Sequence, residues 1–452
     1  MNVILLSLDT LRADHLSCYG YRRLTSPHLD RVAAQGTLCT EFFSPHIPTH
    51  PGYTTMLTGR DAVSHQVVCQ GGTVEPPADV RFLAEILAEQ GYRTAAVDNL
   101  GRWLTRGFQT YRSYRWPLDV SQPWRKAEVV NAEALPLLAE LAAGGQPFFL
   151  FVHYWDPHTP YLPPPPFDRM FYGGDECDPA NRSMAPVFAF EPFADYFRSW
   201  MGQVTDIAYP IAQYDAEIAY LDATLAAFFT RLDELDLVDD TLLIINADHG
   251  ECLDEHECWF DHHGLYDQNL HVPLILRCPG LVPAGQRLGG FIRQYDLAPA
   301  ILDALGLGEL AAANQMDGAS FLPQLRGGSP AGTCDALFLT ENSWMKKRGV
   351  RTHRWKLILA HEPDFHGKPP VELYDLAADP GETVNLAGER PEVVAELTRR
   401  YDDWLRGRMA ASGQPDPQSY QGTTLHRIGA VKLAVPADER LYAEGGKATE
   451  HG

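Results

Sequence analysis

The chain has little positive charge, and that shortage limits its partners. Its 452 residues include 37 Lys and Arg against 59 Asp and Glu, which gives a formal net charge of −22 at pH 7. Nucleic acids and anionic membranes are bound by clusters of basic side chains, so we expect neither as a partner. If the substrate is an anion, a metal ion or local basic groups must overcome the negative field around it.

Long apolar runs are also missing. No stretch approaches the roughly 20 apolar residues that cross a bilayer, and the start, "MNVILLSLDT", has no basic leader before its apolar run. Both features favour a cytoplasmic location and no membrane contact. The eight cysteines are scattered rather than spaced as a repeat, and in a large cytoplasmic chain we expect them to be reduced thiols.

Apolar runs alternate with helix-like segments over the first two thirds of the chain. Four of the runs end in polar or acidic side chains: "NVILLSLD", "YRTAAVD", "FFLFVHYWD" and "LLIINADHG". Short buried strands separated by helices are typical of a parallel sheet covered on both faces. We therefore predict an α/β catalytic domain over residues 1–330, with a large, mainly parallel sheet flanked by helices.

The pattern changes after about residue 330. Three segments, "ALFLTENS", "GVRTHRWKLILA" and "VELYDL", resemble short antiparallel strands, and a long helical segment follows them. They predict a smaller C-terminal α+β domain over residues 331–411. Residues 412–452 are irregular apart from one apolar patch, "IGAVKLAV", and we expect this tail to wrap a neighbouring subunit of a homo-oligomer.

One long stretch inside the first domain has no helix or strand pattern. It reads "DPHTPYLPPPPFDRMFYGGDECDPANRS" and is rich in Pro and Gly. Such a segment is too stiff and too broken for a core element, and long irregular loops of this kind often carry function. We expect it to form a lid over the carboxyl ends of the strands.

Metal-binding side chains follow several of the predicted strands. Asp9 comes after the first apolar run, His153 to His158 after a later one, and Asp248 with His249 after "LLIINA". Ligands of parallel sheets bind at the carboxyl ends of the strands. We predict that Asp9, Asp248 and His249 hold a divalent metal and that the Thr49 hydroxyl faces it. Two carboxylates with one imidazole suit Mn²⁺ or Zn²⁺ better than Ca²⁺. The alternative is that each Asp caps the following helix.

Seven segments in a fixed order carry a resemblance that covers residues 3 to about 405. They are "VILLSLDTLRADHLSCYGY", "PTHPGYTTMLTGR", "FFLFVHYWDPHTPY", "DAEIAYLD", "LLIINADHGECLDEH", "DHHGLYDQNLHVPLIL" and "YDLAADPGETVNLA". This series resembles the sulfatase family of the alkaline phosphatase superfamily. The resemblance implies an alkaline-phosphatase-like α/β sheet, a small C-terminal domain and a divalent metal. It matches Asp9 to the family's first metal-binding Asp, and Asp248 with His249 to the later pair.

The sequence departs from the sulfatase pattern at the metal and at the nucleophile. Sulfatases usually carry two adjacent Asp residues after the first strand, and here the second of these is Thr10. The later metal-binding pair, Asp248 and His249, ends in His where sulfatases have Asn. Phosphonate monoester hydrolases and phosphodiesterases also use an Asp-His pair. The nucleophile motif Cys/Ser-x-Pro-x-Arg is replaced by Thr49, His50, Pro51, Gly52 and Tyr53. Thr cannot be converted to formylglycine, so its ester must be cleaved by water attacking the central atom. Phosphoryl enzymes of the superfamily react in this way, and we expect Thr49 to attack phosphorus.

Several histidines are candidates for acid–base work, because imidazole titrates near neutral pH. The resemblance matches His65 to a His after the start of the nucleophile helix, and His158 to a substrate-side His. His262 stands where many relatives have a catalytic Lys, and it would contact the anion or protonate the leaving group. Each of these, and His263, has the alternative of an ordinary hydrogen-bonded His.

A second metal is the remaining question about the site. The candidate ligands for it are Asp156, His153, His158, His262 and His263. However, "YDAEIAYLD" has no His where two-metal phosphatases carry one, so we expect a single metal. With one metal to neutralise charge, a monoanionic ester is favoured over a dianionic one.

The sequence thus predicts a metal-dependent hydrolase of phosphate diesters or phosphonate monoesters, which acts on a small anionic ester through a Thr nucleophile and a covalent phospho-enzyme. Two alternatives stay open. One is a sulfatase-like ester hydrolase that works on sulfate without formylglycine. The other is a catalytically inactive binding protein that keeps the sulfatase fold.

Overall fold

The structure is a computed structural model that describes residues 1–327 and 332–424. Its strands are β1 Asn2–Leu8, β2 Thr37–Cys39, β3 Phe42–Phe43, β4 His46–Ile47, β5 Arg93–Val97, β6 Thr110–Arg112, β7 Phe148–Tyr154, β8 Thr241–Asn246, β9 Leu274–Arg277, β10 Gln286–Leu288, β11 Ile292–Arg293, β12 Ala336–Glu341, β13 Lys347–Thr352, β14 Trp355–Ala360 and β15 Val371–Asp375. Its α-helices are α1 Pro27–Ala34, α2 Thr49–Thr58, α3 Ala62–His65, α4 Leu83–Glu89, α5 Lys126–Ala143, α6 Ala185–Ala189, α7 Glu191–Met201, α8 Ala208–Glu234, α9 Asp267–Leu270, α10 Leu297–Ala304, α11 Glu309–Ala313, α12 Leu322–Leu325 and α13 Pro391–Ser412.

The core of the molecule is an eight-stranded sheet in the order β10-β2-β9-β8-β1-β7-β5-β6. Every neighbouring pair is parallel except those of β9, which runs antiparallel to β2 and β8. Strand β1 lies in the middle, and all seven of its residues are buried, as expected for a strand covered on both faces. The predicted fold class, a large mainly parallel sheet flanked by helices, is confirmed.

Helices cover both faces of this sheet. Helices α1, α5 and α8 pack together on one side, with α5 against β7 and α1 against β9. Helix α2 packs with α4 and α10 and has the small strand β4 beside it. The apolar side chains between these layers form one continuous core, which fixes the positions of the strand ends.

The register of the three central strands sets the height of the polar residues that follow them. Ser7 in β1 is aligned with His153 in β7 and with Asn246 in β8. Asp9 and Asp248 each come two residues after one of these aligned positions, so they leave the sheet at the same level. Side chains on a strand alternate between faces with a period of two, and this brings the two carboxylates together.

A second sheet has five strands in the order β15-β14-β13-β12-β4. Its later strands are antiparallel, and α13 covers it with Leu397, Tyr401 and Leu405. Strand β4 comes from the segment just before Thr49 and pairs in parallel with β12. The division into residues 1–330, 331–411 and 412–452 stays a prediction, and the small sheet takes one strand from the first of these segments.

The beginning of the predicted tail folds back on the same chain. Gln418 Nε2 donates to the carbonyl oxygens of Glu341 and Lys347, at 3.1 and 2.9 Å. Gln421 Nε2 donates to the Gln66 carbonyl at 2.8 Å, so this part of the tail lies near the end of α3. The apolar patch "IGAVKLAV" falls outside the described residues, and the homo-oligomer stays a prediction.

The segment predicted as a lid packs at the carboxyl end of the large sheet. Its Pro-rich part has no regular strand or α-helix, and α6 and α7 follow it. The Tyr161 ring contacts those of Tyr214 in α8 and Phe260 in the loop after β8, with ring centroids 5.4 and 6.2 Å apart. Nowhere in residues 1–327 and 332–424 is there a helix long and apolar enough to span a membrane. All eight cysteines are free thiols.

At the N-terminus of α1, a distant residue rather than the local N-cap side chain satisfies the helix amides. Ser26 is the N-cap residue, but its hydroxyl donates to Asp30 rather than accepting a helix amide. The amides of His28 and Leu29 donate instead to Asp222 of α8, at 3.0 and 2.8 Å. Burial outweighs these two hydrogen bonds and raises the pKa of Asp222 to about 7.

This raised pKa makes stability depend on pH. A carboxyl with a higher pKa in the folded chain than in the unfolded chain stabilises the fold at low pH, and loses that contribution as pH rises through its folded pKa. Between pH 4 and pH 8, we expect the free energy of unfolding of the wild type to fall by up to about 4 kcal/mol more than that of Asp222→Asn, which has no carboxyl at this position. Urea unfolding across this range measures the difference, and a constant difference would contradict the expectation.

Candidate functional site

Asp9 is held at the end of β1 by a chain of buried groups. Its Oδ2 lies 3.1 Å from His153 Nε2, and His153 Nδ1 lies 2.8 Å from Asp98 Oδ1. Burial opposes the charged form of His153, but the hydrogen bonds to Asp9 and Asp98 outweigh it and raise the pKa of His153 to about 9. The imidazolium therefore occupies one oxygen of Asp9 and leaves Oδ1 free to bind a ligand.

Asp248 and His249 follow β8 and face Asp9. The ligand atoms of the three residues all lie within 4.8 Å of one another. His249 Nδ1 donates to the Gly250 carbonyl at 2.9 Å, since a carbonyl can only accept. His249 Nε2 therefore presents its lone pair to the cluster, 3.3 Å from Asp248 Oδ2. Burial lowers the pKa of His249 to about 3, which keeps this nitrogen unprotonated.

The charge balance of this cluster favours a cation. Burial opposes ionisation of Asp9, but the His153 hydrogen bond and nearby histidines outweigh it and lower the pKa of Asp9 to about 2. Burial and the charge of Asp9 raise the pKa of Asp248 well above its usual range. Asp9 Oδ1 and Asp248 Oδ2 are buried without a hydrogen-bond partner in the described structure. Buried carboxylates need a compensating charge, and two such oxygens with an imidazole fit a divalent metal.

Thr49 is the first residue of α2, and its side chain is directed at this cluster. Its Oγ1 lies 3.1 Å from His249 Nε2, and the residue is only 3% exposed. Helix α2 approaches the cluster closely because residue 52 is Gly. A Cβ on Gly52 would lie 3.0 Å from the Asp248 carbonyl oxygen and 3.4 Å from its Cβ. The positive end of the α2 dipole, with its first amides, therefore also points toward the site, where it favours anions.

His158 and His262 lie beside the cluster with opposite protonation preferences. The His262 ring is 4.8 Å from that of His249 and 4.9 Å from that of His158. Burial opposes the charge on His262, but Asp261 and Glu251 outweigh it and raise the pKa of His262 to about 9. Burial lowers the pKa of His158 to about 4. Of these two residues, His262 is thus cationic and His158 neutral at neutral pH.

The structure places the other two candidate histidines away from Thr49. His65 Nδ1 accepts from the Val67 amide at 3.1 Å, and its Nε2 contacts Thr55 Oγ1 at 2.9 Å. Both ring nitrogens are therefore engaged, one by the middle of α2 and the other by the segment after α3. His263 turns to Cys258 and His366 rather than to Asp9.

Two of the candidate ligands of a second metal, His153 and Asp156, contact other charged groups, whereas His158 and His262 lie beside the cluster. His153 links Asp9 to Asp98, and Asp156 lies 3.6 Å from Lys126 Nζ. The sequence did not predict that Asp98 and His153 would form a hydrogen-bonded chain to Asp9. Both residues stand at or after the ends of predicted strands. That position at the strand ends was the available signal.

Together, the fold and this site define an α/β protein of alkaline-phosphatase-like architecture with a candidate metal site. The family model described as Sulfatase matches residues 1–307, and the model of the N-sulphoglucosamine sulphohydrolase C-terminal region matches residues 254–406. The chain belongs to the sulfatase family.

Similar proteins include both sulfatases and phosphonate hydrolases. Iduronate 2-sulfatase of Homo sapiens is 25% identical over 365 residues, which cover 67% of this chain and 65% of that protein. The multifunctional alkaline phosphatase superfamily protein PehA of Trinickia caryophylli is 26% identical over 497 residues, covering 88% and 93% of the two chains. The crystal structure of phosphonate monoester hydrolase of Agrobacterium radiobacter is 26% identical, with a TM-score of 0.73 and coverage of 91% and 96%.

The close approach of α2 to Asp248 can be tested with Gly52→Ala. The added methyl group must displace either the helix or Asp248 by a few tenths of an ångström, and we expect the affinity for a divalent metal to fall about tenfold. Isothermal titration calorimetry with Mn²⁺ or Zn²⁺ measures this. The control is Gly407→Ala in α13, where a Cβ meets no atom within 4 Å. Equal affinities in the two variants would contradict the packing argument.

Proposed function

We propose that this chain is a metal-dependent hydrolase of phosphate diesters or phosphonate monoesters, with Thr49 as the nucleophile. The observation that carries the proposal is the position of Thr49 Oγ1, 3.1 Å from His249 Nε2 and beside the ligand atoms of Asp9 and Asp248. A hydroxyl at a helix N-terminus, within a cluster that fits a divalent cation, has the arrangement of an activated nucleophile.

The residues of the cluster would hold Mn²⁺ or Zn²⁺ through Asp9, Asp248 and His249, with Thr49 facing the ion. Two carboxylates and one neutral imidazole are a donor set that these ions accept. When bound, such a cation supplies a Lewis acid that lowers the pKa of a neighbouring hydroxyl and stabilises charge on the substrate oxygens. His153 keeps Asp9 in place, because its charged ring holds the Oδ2 atom that faces away from the cluster.

The cycle begins with Thr49 as the alkoxide, its proton having passed to solvent, and in the first half of the reaction Oγ1 attacks phosphorus in line with the leaving oxygen. The Oγ1–P bond forms while the ester P–O bond breaks, which gives phosphothreonine. Protonated His262 donates its proton to the leaving oxygen, as its high pKa and its position beside His249 allow. Neutral His158 offers a lone pair at the same place, since its Nδ1 donates to the Thr159 carbonyl at 2.7 Å.

In the second half, water cleaves the phosphothreonine. His262 is now neutral, so it takes a proton from the attacking water by microscopic reversibility. The new O–P bond forms as the Oγ1–P bond breaks, and Thr49 is regenerated. A formylglycine hydrate has two hydroxyls on one carbon, and the second can expel the sulfate without any attack at sulfur. Thr49 has a single hydroxyl, so its ester must be cleaved by water at the central atom. This favours phosphorus over sulfur as the atom attacked.

The charge of the site favours monoanionic substrates. Asp9, Asp248 and Glu251 are all buried, and burial, with the charges of Asp261 and Asp9, raises the pKa of Glu251 to about 7. A dianionic phosphate monoester would meet more repulsion there than a diester or a phosphonate monoester, which carry a single charge. This supports the proposed substrate class.

The nucleophile is tested with Thr49→Ala and Thr49→Ser on aryl phosphodiesters and aryl phosphonate monoesters. We expect kcat/KM to fall by about 10⁴-fold or more in the Ala variant, with bound metal retained, and to be partly kept in the Ser variant, which preserves a hydroxyl. Acid-quenched wild-type enzyme should yield a phosphorylated peptide that contains Thr49. Thr230→Ala, on the outer end of α8, is the matched control and should leave kcat/KM unchanged.

Two results would overturn the proposal. One is a Thr49→Ala variant that keeps kcat/KM on phosphodiesters within tenfold of the wild type while the Thr230→Ala control behaves normally. The other is a higher kcat/KM on aryl sulfates than on matched phosphodiesters, which would favour the sulfate ester hydrolase instead.

The role of His262 is tested by its dependence on the leaving group. General acid catalysis contributes about 10²- to 10⁴-fold, and mostly for leaving groups that need a proton. We expect His262→Gln to lower kcat/KM about 10²-fold or more for phenyl esters but far less for 4-nitrophenyl esters. His28→Gln in α1 serves as the control. Equal losses for both leaving groups would assign His262 to substrate binding rather than to proton transfer.

A further inference from the structure

A second group of metal-ligating side chains lies outside the site described above. It comprises Cys258, His263 and His366, whose Sγ and ring nitrogen atoms all lie within 4.8 Å of one another. Cys258 and His263 are fully buried, and His366 is partly buried. Within the described residues, none of the three contacts Asp9 or Thr49. None of them takes part in the proposed reaction.

The two histidines face each other nitrogen to nitrogen. His263 Nε2 lies 2.6 Å from His366 Nε2, and such a pair can share one proton at most. The other nitrogen of His263, Nδ1, lies 3.3 Å from Asp261 Oδ1. A carboxylate behind a histidine fixes the ring and increases the basicity of the opposite nitrogen, as in many protein zinc sites.

The surroundings of the pair are aromatic. The Phe190 ring is stacked on His366 with centroids 4.5 Å apart, and the Phe193 ring is stacked on His263 at 5.7 Å. Both phenylalanines come from α7 and the residue before it. Shells of this kind exclude water and lock the ring orientations, which are requirements of a preorganised metal site.

A second thiol lies next to the first. Cys252 forms a β-bridge with Asp261, and this closes the loop that carries Cys258. The Cys252 and Cys258 thiols are in contact with each other. The thiolate is the form of cysteine that binds metal ions.

We propose that Cys258, His263 and His366 form a structural metal site that takes Zn²⁺, with water in the fourth position. A thiolate with two imidazoles is a soft, nitrogen- and sulfur-rich donor set that Zn²⁺ accepts in tetrahedral geometry, whereas Mg²⁺, Ca²⁺ and Mn²⁺ prefer oxygen. The ion takes the place of the proton shared by the two ring nitrogens.

The consequence of this site is a cross-link between the two sheets. Cys258 and His263 lie in the loop that follows β8 of the large sheet, whereas His366 lies between β14 and β15 of the small one. The same loop includes His256, Glu257 and Phe260 with positive φ values of 56, 56 and 49°, a conformation that non-glycine residues adopt at a cost. An ion bound here holds that loop, and with it the adjacent residue His262, against the small domain.

The site is tested in an Asp248→Asn background, in which the first cluster has lost a ligand. After growth with Zn²⁺ and removal of loose metal, we expect about one tightly bound zinc per chain in Asp248→Asn. We expect that zinc to be lost in Asp248→Asn/Cys258→Ser and in Asp248→Asn/His366→Ala. Replacement by Co²⁺ should produce a thiolate-to-cobalt charge-transfer band that the two double variants lack.

The controls are Asp248→Asn/Cys177→Ser, at an exposed thiol of the lid segment, and Asp248→Asn/His361→Ala, at a histidine just after β14. Both should keep the zinc and the cobalt band. His366 is only partly buried, so its replacement by Ala is less disruptive to folding than that of the buried Cys258. The His366→Ala variant therefore tests the site even if the Cys258→Ser variant does not fold. The proposal is overturned if the Asp248→Asn protein has no cobalt–thiolate band, if His366→Ala retains both zinc and band, or if mass analysis of freshly purified protein finds a Cys252–Cys258 disulfide.

Discussion

The repulsion between two buried carboxylates is the constraint on which the rest of the site depends. Asp9 and Asp248 leave adjacent strands at the same level, and each keeps one buried oxygen without a hydrogen-bond donor. A positive charge between the oxygens stabilises such an arrangement, and without one burial and the charge of Asp9 raise the pKa of Asp248 well above its usual range. The neighbouring groups are arranged around that requirement: His153 holds the outer oxygen of Asp9, and the Gly250 carbonyl fixes the tautomer of His249.

The nucleophile segment is positioned by both sheets. Immediately before Thr49, β4 pairs with β12 of the small sheet, and immediately after it α2 packs against Asp248 at Gly52. The position of Thr49 Oγ1 is therefore set by contacts on two sides rather than by the loop itself. The small sheet, which supplies none of the proposed catalytic side chains, still determines the geometry of the reaction because it holds the segment that leads into α2.

The histidines of this protein show how the environment divides one residue type into different roles. His262 is kept cationic by Asp261 and Glu251, His158 is kept neutral by burial, and His249 presents a lone pair to the proposed metal. His263, the residue after His262, faces a thiol and another imidazole on the opposite side of the loop. The two neighbouring side chains point to different clusters, so one short segment contributes to both proposed sites.

The sequence alone determined the α/β class and the placement of Asp9, Asp248 and His249 at strand ends. Both follow from local patterns, because buried parallel strands are recognisable as apolar runs and their carboxyl ends meet at one edge. Only the tertiary structure decided that His65 turns to Thr55, that Asp98 and His153 support Asp9, and that His263 meets His366, more than a hundred positions later. These contacts join side chains from separate elements. They depend on how the two sheets and the lid pack together, which the periodicity of any one segment does not contain.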